Sequence, residues 1–274
     1  MNQTRLLLAG RTAVVTGAAS GIGRALALAA AKRGMAVAMA DLDDNGLRAT
    51  EAGVRALGAE CVSERVSVTD AAALHAFAER TEQALPPVTL LFANAGILQL
   101  GSLLKMPISE LKRLFDVNVF GAIATVQAFV SRMQDHGPDA HIVITGSTGS
   151  MANYADLGGY CAAKHALWPI AEAIRNDLSA AGSTIGVSLL MPGAVSTAIF
   201  DQADPDRAAS AETMTPDEVA DIAFRGIDQG DFLILTHPSF ISQASARFDV
   251  ALSELKRGAQ VSATAFRTLE EVPG

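Results

Sequence analysis

Several protein classes are set aside by what this chain has little of. Its two cysteines, Cys61 and Cys161, stand far apart with no metal-type spacing. That argues against a disulfide framework or a cysteine metal site and reads as two free, buried thiols; no metal site is expected. Basic charge is scarce, with 21 Lys and Arg against 29 Asp and Glu and a net charge of −8. A surface for nucleic acid or anionic lipid is therefore not expected. Long apolar runs are missing too. Stretches such as "ALALAAAKRG" meet charge early, before the ~18 residues of a membrane helix. The opening "MNQTRLLLAGRT" holds too short an apolar run for a signal peptide, so a cytoplasmic location is expected.

What is abundant is small and aliphatic. Half of the residues are hydrophobic, only 5% are aromatic, and there are 23 glycines. This suits helices packed closely on a largely buried parallel sheet. The length of 274 residues fits one large domain with a substantial core.

Along the chain, strand-like runs alternate with helical periodicity. "TAVVT" at 12–16, "AVAMAD", "CVSERVSV", "TLLFANAG", "HIVITGS" at 141–147, "IGVSLLMPG" at 185–193 and "FLILTHP" at 232–238 read as seven strands. Helices are expected between them, among others at 45–57, 71–85, about 109–134 and 216–229. The alternation implies right-handed βαβ crossovers and a doubly wound (Rossmann) parallel α/β sheet, with helices on both faces. A single domain over 1–274 is expected, its core at about 10–238 and a C-terminal segment at 239–274. A lid is expected at 198–215, the longest stretch without periodicity.

"TGAASGIG" at 16–23 joins the first strand to the first helix. Gly17 permits a tight turn, Gly21 admits a phosphate to the backbone, and Gly23 lets helix and strand pack closely. Helix N–H groups then face a pyrophosphate. Asp41 ends the second strand about 20 residues later, where a carboxylate accepts from ribose hydroxyls and repels a 2′-phosphate. NAD is expected over NADP, and the uncharged Ser20 agrees. In "YCAAK", Tyr160 and Lys164 are four residues apart, so on a helix both reach one point.

In these motifs the chain resembles the short-chain dehydrogenases/reductases, in the branch of roughly 250 residues. The resemblance runs from about Gly10 to Pro238. It rests on "TGAASGIG", "NAG" at 94–96, "DVNVFG" at 116–121, Ser147, "YCAAK" at 160–164 and "PGAVST" at 192–197, in that order. It implies an oxidoreductase in which Tyr160 is the general acid/base, with Lys164 and a positive nicotinamide favouring the phenolate. Ser147 would bond the substrate oxygen, Asn118 would hold a water linking Lys164 to solvent, and Lys164 would also hold the nicotinamide ribose. Gly17, Ser20, Gly21, Ile22, Gly23, Asn94, Ala95 and Gly96 would line the cofactor, and Pro192, Val195 and Thr197 would contact its carboxamide.

Two departures stand out. Ser67-Val68 occupies the place of the usual Asp-Val that binds adenine, and Ala93 replaces the first Asn of "NNAG". The resemblance also implies a homotetramer, or a homodimer, built through the helices near 109–134 and 158–181. The substrate expected is a secondary alcohol or ketone, largely apolar because Arg207 is the one cation in the lid. Two other readings are a non-catalytic NAD-sensing regulator, which would dispense with Ser147, Tyr160 or Lys164, and an NADPH-dependent ketone reductase. His237, at the end of the last strand, is a candidate for contact with substrate or lid.

Overall fold

The computed structural model describes residues 8–135, 140–197 and 213–270, the last twelve of these as backbone alone. Most of the expected lid, at 198–212, lies outside the described residues.

Among the described residues, seven parallel strands form one sheet: β1 (Thr12–Thr16), β2 (Ala36–Asp41), β3 (Cys61–Arg65), β4 (Val88–Ala93), β5 (His141–Thr145), β6 (Gly186–Met191) and β7 (Leu233–Leu235). The order is β3-β2-β1-β4-β5-β6-β7. The central strands β1, β4 and β5 are buried at every position, which is why they read as continuous apolar runs. The order reverses between β1 and β4, and the crevice at the carboxyl ends of these two strands is where a doubly wound sheet takes ligands. β7 is shorter than the run "FLILTHP" suggested, because only Leu233 to Leu235 register against β6.

The intervening helices cover both faces. One face is sealed by α1 (Gly21–Lys32), α2 (Asp44–Ala56) and α7 (Pro216–Gln229), whose small and aliphatic side chains form one core with β1 and β2. The other is sealed by α3 (Ala71–Ala84), α5 (Gly121–Asp135) and α6 (Gly158–Ala180). Edge-to-face pairs Phe92–Phe224 and Phe77–Phe129, with ring centres 5.6 and 5.9 Å apart, fill the two layers. α7 starts on a capping box, Thr215 with Glu218, which satisfies orphan N–H groups at its first turn.

The expected helix at 109–134 is two helices, α4 (Ile108–Phe115) and α5, joined by a π turn at Asp116–Phe120. By length and hydropathy the span Ile108–Asp135 is long and apolar enough to cross a membrane, contrary to the expectation that charge breaks every such run. Half of its apolar window is buried inside the fold, where Val126, Phe129 and Met133 pack in the core. The compact unit that carries the sheet ends at His237. The second unit, from Pro238, is a single long helix, α8 (Phe240–Glu270).

His141, at the start of β5, is a buried histidine with one fixed tautomer. Ser188 gives its proton to the Asp231 carbonyl at 2.6 Å, so its oxygen accepts from His141 Nε2 at 2.7 Å. Burial pushes the imidazole pKa down from 6.5 to about 4. The unfolded chain takes up this proton at higher pH than the fold does. Stability is therefore present above 6.5 and lost as pH falls from 6.5 towards 4, by up to about 3 kcal/mol. Denaturant unfolding across that window should show the loss in the native chain, and His141→Gln should remove most of this slope.

Candidate active site

The glycine turn follows β1 because its backbone leaves the strand at once. Gly17 sits at φ +70° and its N–H donates to the Ala40 carbonyl at 2.8 Å. A Cβ at Gly23 would lie 2.0 Å from the Gly17 carbonyl oxygen, so no side chain fits between turn and helix. Ser20 stands at the start of α1 without spending its side chain on the cap, and the first N–H groups of the twelve-residue helix open onto a cavity. That is the cradle a pyrophosphate needs.

Asp41 lies at the carboxyl end of β2 on the wall of the same cavity. Its carboxylate is held by backbone donors: Ala19 N–H at 2.9 Å on one oxygen, Leu42 N–H at 2.6 Å and Asp43 N–H at 3.1 Å on the other. These bonds tie it to the glycine turn and leave further lone-pair capacity for a diol. Ser67 and Val68 are not brought to the cavity wall. The Ser67 hydroxyl closes a local turn with Thr69 at 2.8 Å, and Val68 packs where Gly121 has no side chain. The Ser67 and Val68 side chains, counted among the cofactor-binding residues from sequence, thus serve a turn and a packing contact in this structure.

After β4, Asn94 bridges three elements. Its side-chain N–H donates to the Thr16 carbonyl at 3.0 Å, its carbonyl accepts from the Thr145 hydroxyl at 3.1 Å, and its backbone N–H donates to the Thr16 hydroxyl at 3.1 Å. Asn118, in the π turn, is buried and does not line the cavity. Its amide donates to the carbonyls of Ile97 at 2.9 Å and Leu114 at 3.0 Å and accepts from Ile97 N–H at 3.3 Å. Its side chain thus braces the helix to the segment after β4. A Cβ on Gly96 would lie 2.7 Å from Asn118 Oδ1 and 3.4 Å from Lys164 Nζ, so both groups converge beside this glycine.

Tyr160 and Lys164 are on α6, one turn apart, and both are buried on the cavity wall. Lys164 Nζ donates to the Thr145 carbonyl at 2.8 Å and stands 5.8 Å from the centre of the Tyr160 ring. Ser147 follows β5; its oxygen accepts from Gly149 N–H at 3.0 Å, which leaves its own proton for a further acceptor. Burial pushes the Tyr160 phenol up to about 12, a hydrogen bond with Ser147 opposing, and burial pushes Lys164 down to about 7. The expectation that Lys164 and a positive nicotinamide together favour the phenolate concerns the site with that ring bound; among the chain's own groups burial dominates. Desolvation disfavours both charged forms and wins.

Pro192, Val195 and Thr197 complete the wall after β6, and Thr197 sits across from the glycine turn, 2.9 Å from where a Gly21 Cβ would be. The cavity measures about 400 Å³. It brings together Gly17, Ser20, Gly21, Ile22, Gly23, Asp41, Asn94, Ala95, Gly96, Ser147, Tyr160, Lys164, Pro192, Val195 and Thr197. It also has walls that the motifs did not announce: Ile97 and Leu98 just past "NAG", Thr145 and Gly146 before Ser147, and Arg113 on α4. Most flank a motif by one or two positions; Arg113 carried no signal.

Sheet, glycine cradle and the Ser147, Tyr160 and Lys164 cluster define a dinucleotide-binding oxidoreductase of the Rossmann type. The chain belongs to the short-chain dehydrogenase family, whose model matches residues 11–208. It is 33% identical to the 1-deoxy-11-beta-hydroxypentalenate dehydrogenase of Streptomyces avermitilis over 90% of this chain and 92% of that one. A short-chain dehydrogenase/reductase from Burkholderia phymatum, solved in complex with NAD, superposes with a TM-score of 0.84 at 33% identity, covering 90% of this chain and 96% of that one. A structure from Beutenbergia cavernae with NADP bound at low occupancy superposes at 0.76 with 26% identity, covering 86% and 98%.

Proposed function

We propose that the protein is an NAD-dependent dehydrogenase of a largely apolar secondary alcohol, running reversibly with the ketone. The observation that carries this reading is the placement of Tyr160, Ser147 and Lys164 on one cavity whose wall also carries Asp41. A bound nicotinamide supplies the hydride acceptor or donor. The chain's own residues do the rest. Ser147 hydrogen-bonds the substrate oxygen beside the phenol, which fixes where the proton passes. Tyr160 takes the hydroxyl proton in oxidation and returns it in reduction. Lys164 holds the nicotinamide ribose and, when charged, favours the phenolate.

The apolar substrate is supported by Ile97 and Leu98 on the cavity wall near Tyr160, with Leu98 backed by the cluster of Cys161, Leu100, Tyr154 and Leu157. The Streptomyces relative is named for a substrate bearing a hydroxyl, in keeping with an alcohol here. A homo-oligomer through the α4–α5 and α6 helices is also part of this reading; on the α4 side it is supported by a hollow of about 290 Å³ in which Ile108, Leu111, Phe115 and Phe120 stand beside Lys112 and Asp116. The test of the function is an NAD-reduction screen with purified protein across secondary alcohols of graded size and polarity. A preference for phosphorylated or di-acid substrates would overturn the apolar pocket.

NAD preference is carried by Asp41, with Ser20 uncharged beside it. NAD should be favoured over NADP in kcat/KM, and Asp41→Ala should narrow that ratio by about tenfold or more, equivalent to ~1.4 kcal/mol. Paired kcat/KM measurements with both cofactors check this; equal use of the two by the native protein would remove the assignment.

A further inference from the structure

His237 ends the unit that carries the sheet, two residues past β7, and its buried ring is bonded through both nitrogens to the cavity wall after β6. The Gly193 N–H donates to Nδ1 at 3.1 Å. An amide nitrogen has no acceptor capacity, so Nδ1 carries no proton. The Ala194 carbonyl lies 3.0 Å from Nε2, so Nε2 carries the proton and donates. The ring is thereby the neutral Nε2–H tautomer, with the Thr236 hydroxyl at 2.6 Å from Nδ1 as a further partner. Its face lies against Gly193: a Cβ there would be 2.7 Å from the ring Cγ and 2.8 Å from Nδ1. Residue 193 is a glycine because the imidazole occupies the space of its side chain.

The two bonds grip neighbouring residues inside one short piece of wall, since Pro192, Gly193 and Val195 all line the cavity. Otherwise this piece is held through Thr148 N–H to the Pro192 carbonyl at 2.9 Å, through Met214 on either side of Val195, and through a longer bond of the Gly193 N–H to the Thr236 hydroxyl at 3.4 Å. We infer that His237 is a positioning residue, a neutral bracket that sets the 192–195 wall against the nicotinamide half of the cofactor without touching substrate or cofactor itself. The inference rests on the reading above, in which this wall faces the nicotinamide. It replaces the contact with substrate or lid considered for His237 from sequence, because both ring nitrogens point into the wall.

A merely structural histidine and a positioning one differ in what they do to two ligands. ADP-ribose lacks the nicotinamide, whereas NADH carries it. Titration calorimetry on His237→Ala should show NADH weakened by about tenfold, the worth of one or two neutral hydrogen bonds, with ADP-ribose nearly unchanged. Gly193→Ala should reproduce this in the native background, because the methyl and the ring compete for one space. It should have little effect in His237→Ala, where the space is vacant. Without any ligand, the native Gly193 amide should exchange slowly with solvent, and nitrogen NMR should show a proton on Nε2 and none on Nδ1 of His237.

Equal weakening of NADH and ADP-ribose, or no change in either, would overturn the positioning role. So would a proton on Nδ1, a result that needs no variant to fold. If the native protein binds ADP-ribose as tightly as NADH, the nicotinamide assignment of 192–195 falls, and the ligand-free exchange and NMR measurements still report whether the bracket exists.

Discussion

Tyr160→Phe is expected to lower turnover by about 10²-fold or more while NADH binding persists, because the ring stays and only the proton carrier leaves. The phenol lies on the wall of the cavity that also holds Ser147 and Lys164, and no other phenol among the described residues lines that cavity. Tyr154, the other tyrosine, gives its proton to Thr148 at 3.0 Å. The two directions of reaction also predict opposite pH trends. Burial holds the cofactor-free phenol near 12, so at neutral pH it is a proton donor. Oxidation needs the phenolate and should accelerate as pH rises; ketone reduction needs the phenol and should fall at alkaline pH. Profiles of kcat/KM in both directions check this. Near-native turnover in Tyr160→Phe would sink the mechanism.

Lys164→Met should likewise cost about 10²-fold or more in turnover, since the group that favours the phenolate and holds the ribose is gone. Its second signature is in stability. The folded pKa of about 7 lies below the ordinary 10.5, with burial as the cause. Between these values the unfolded chain holds a proton that the fold sheds, so stability rises with pH across the window. The penalty is fully present below 7, up to roughly 5 kcal/mol as an outer bound. Methionine fills the space without a charge. Denaturant unfolding of the cofactor-free proteins should show a rise from pH 7 towards 10.5 in the native chain that Lys164→Met lacks. Parallel slopes in the two proteins would mean that the ammonium is not desolvated in the fold.

The sequence by itself determined the alternation of strands and helices, the glycine cradle, Asp41 at a strand end, and Tyr160 with Lys164 on one helical face. Each is a local property: side-chain periodicity of two or 3.6, the left-handed turn at Gly17, or an i, i+4 spacing. The tertiary structure decided what depends on which surfaces meet. The π turn that splits 109–134 and turns Asn118 into a brace comes from the contact of that helix with the segment after β4. The Ser67 side chain goes to a turn and the Val68 side chain to the space left by Gly121. Arg113 and His237 reach the cavity or its wall from elements distant in the chain. The upward shift of Tyr160 was likewise invisible in "YCAAK", because desolvation is set by what packs around a group in the folded protein, and the four residues that follow it in the chain carry no record of that.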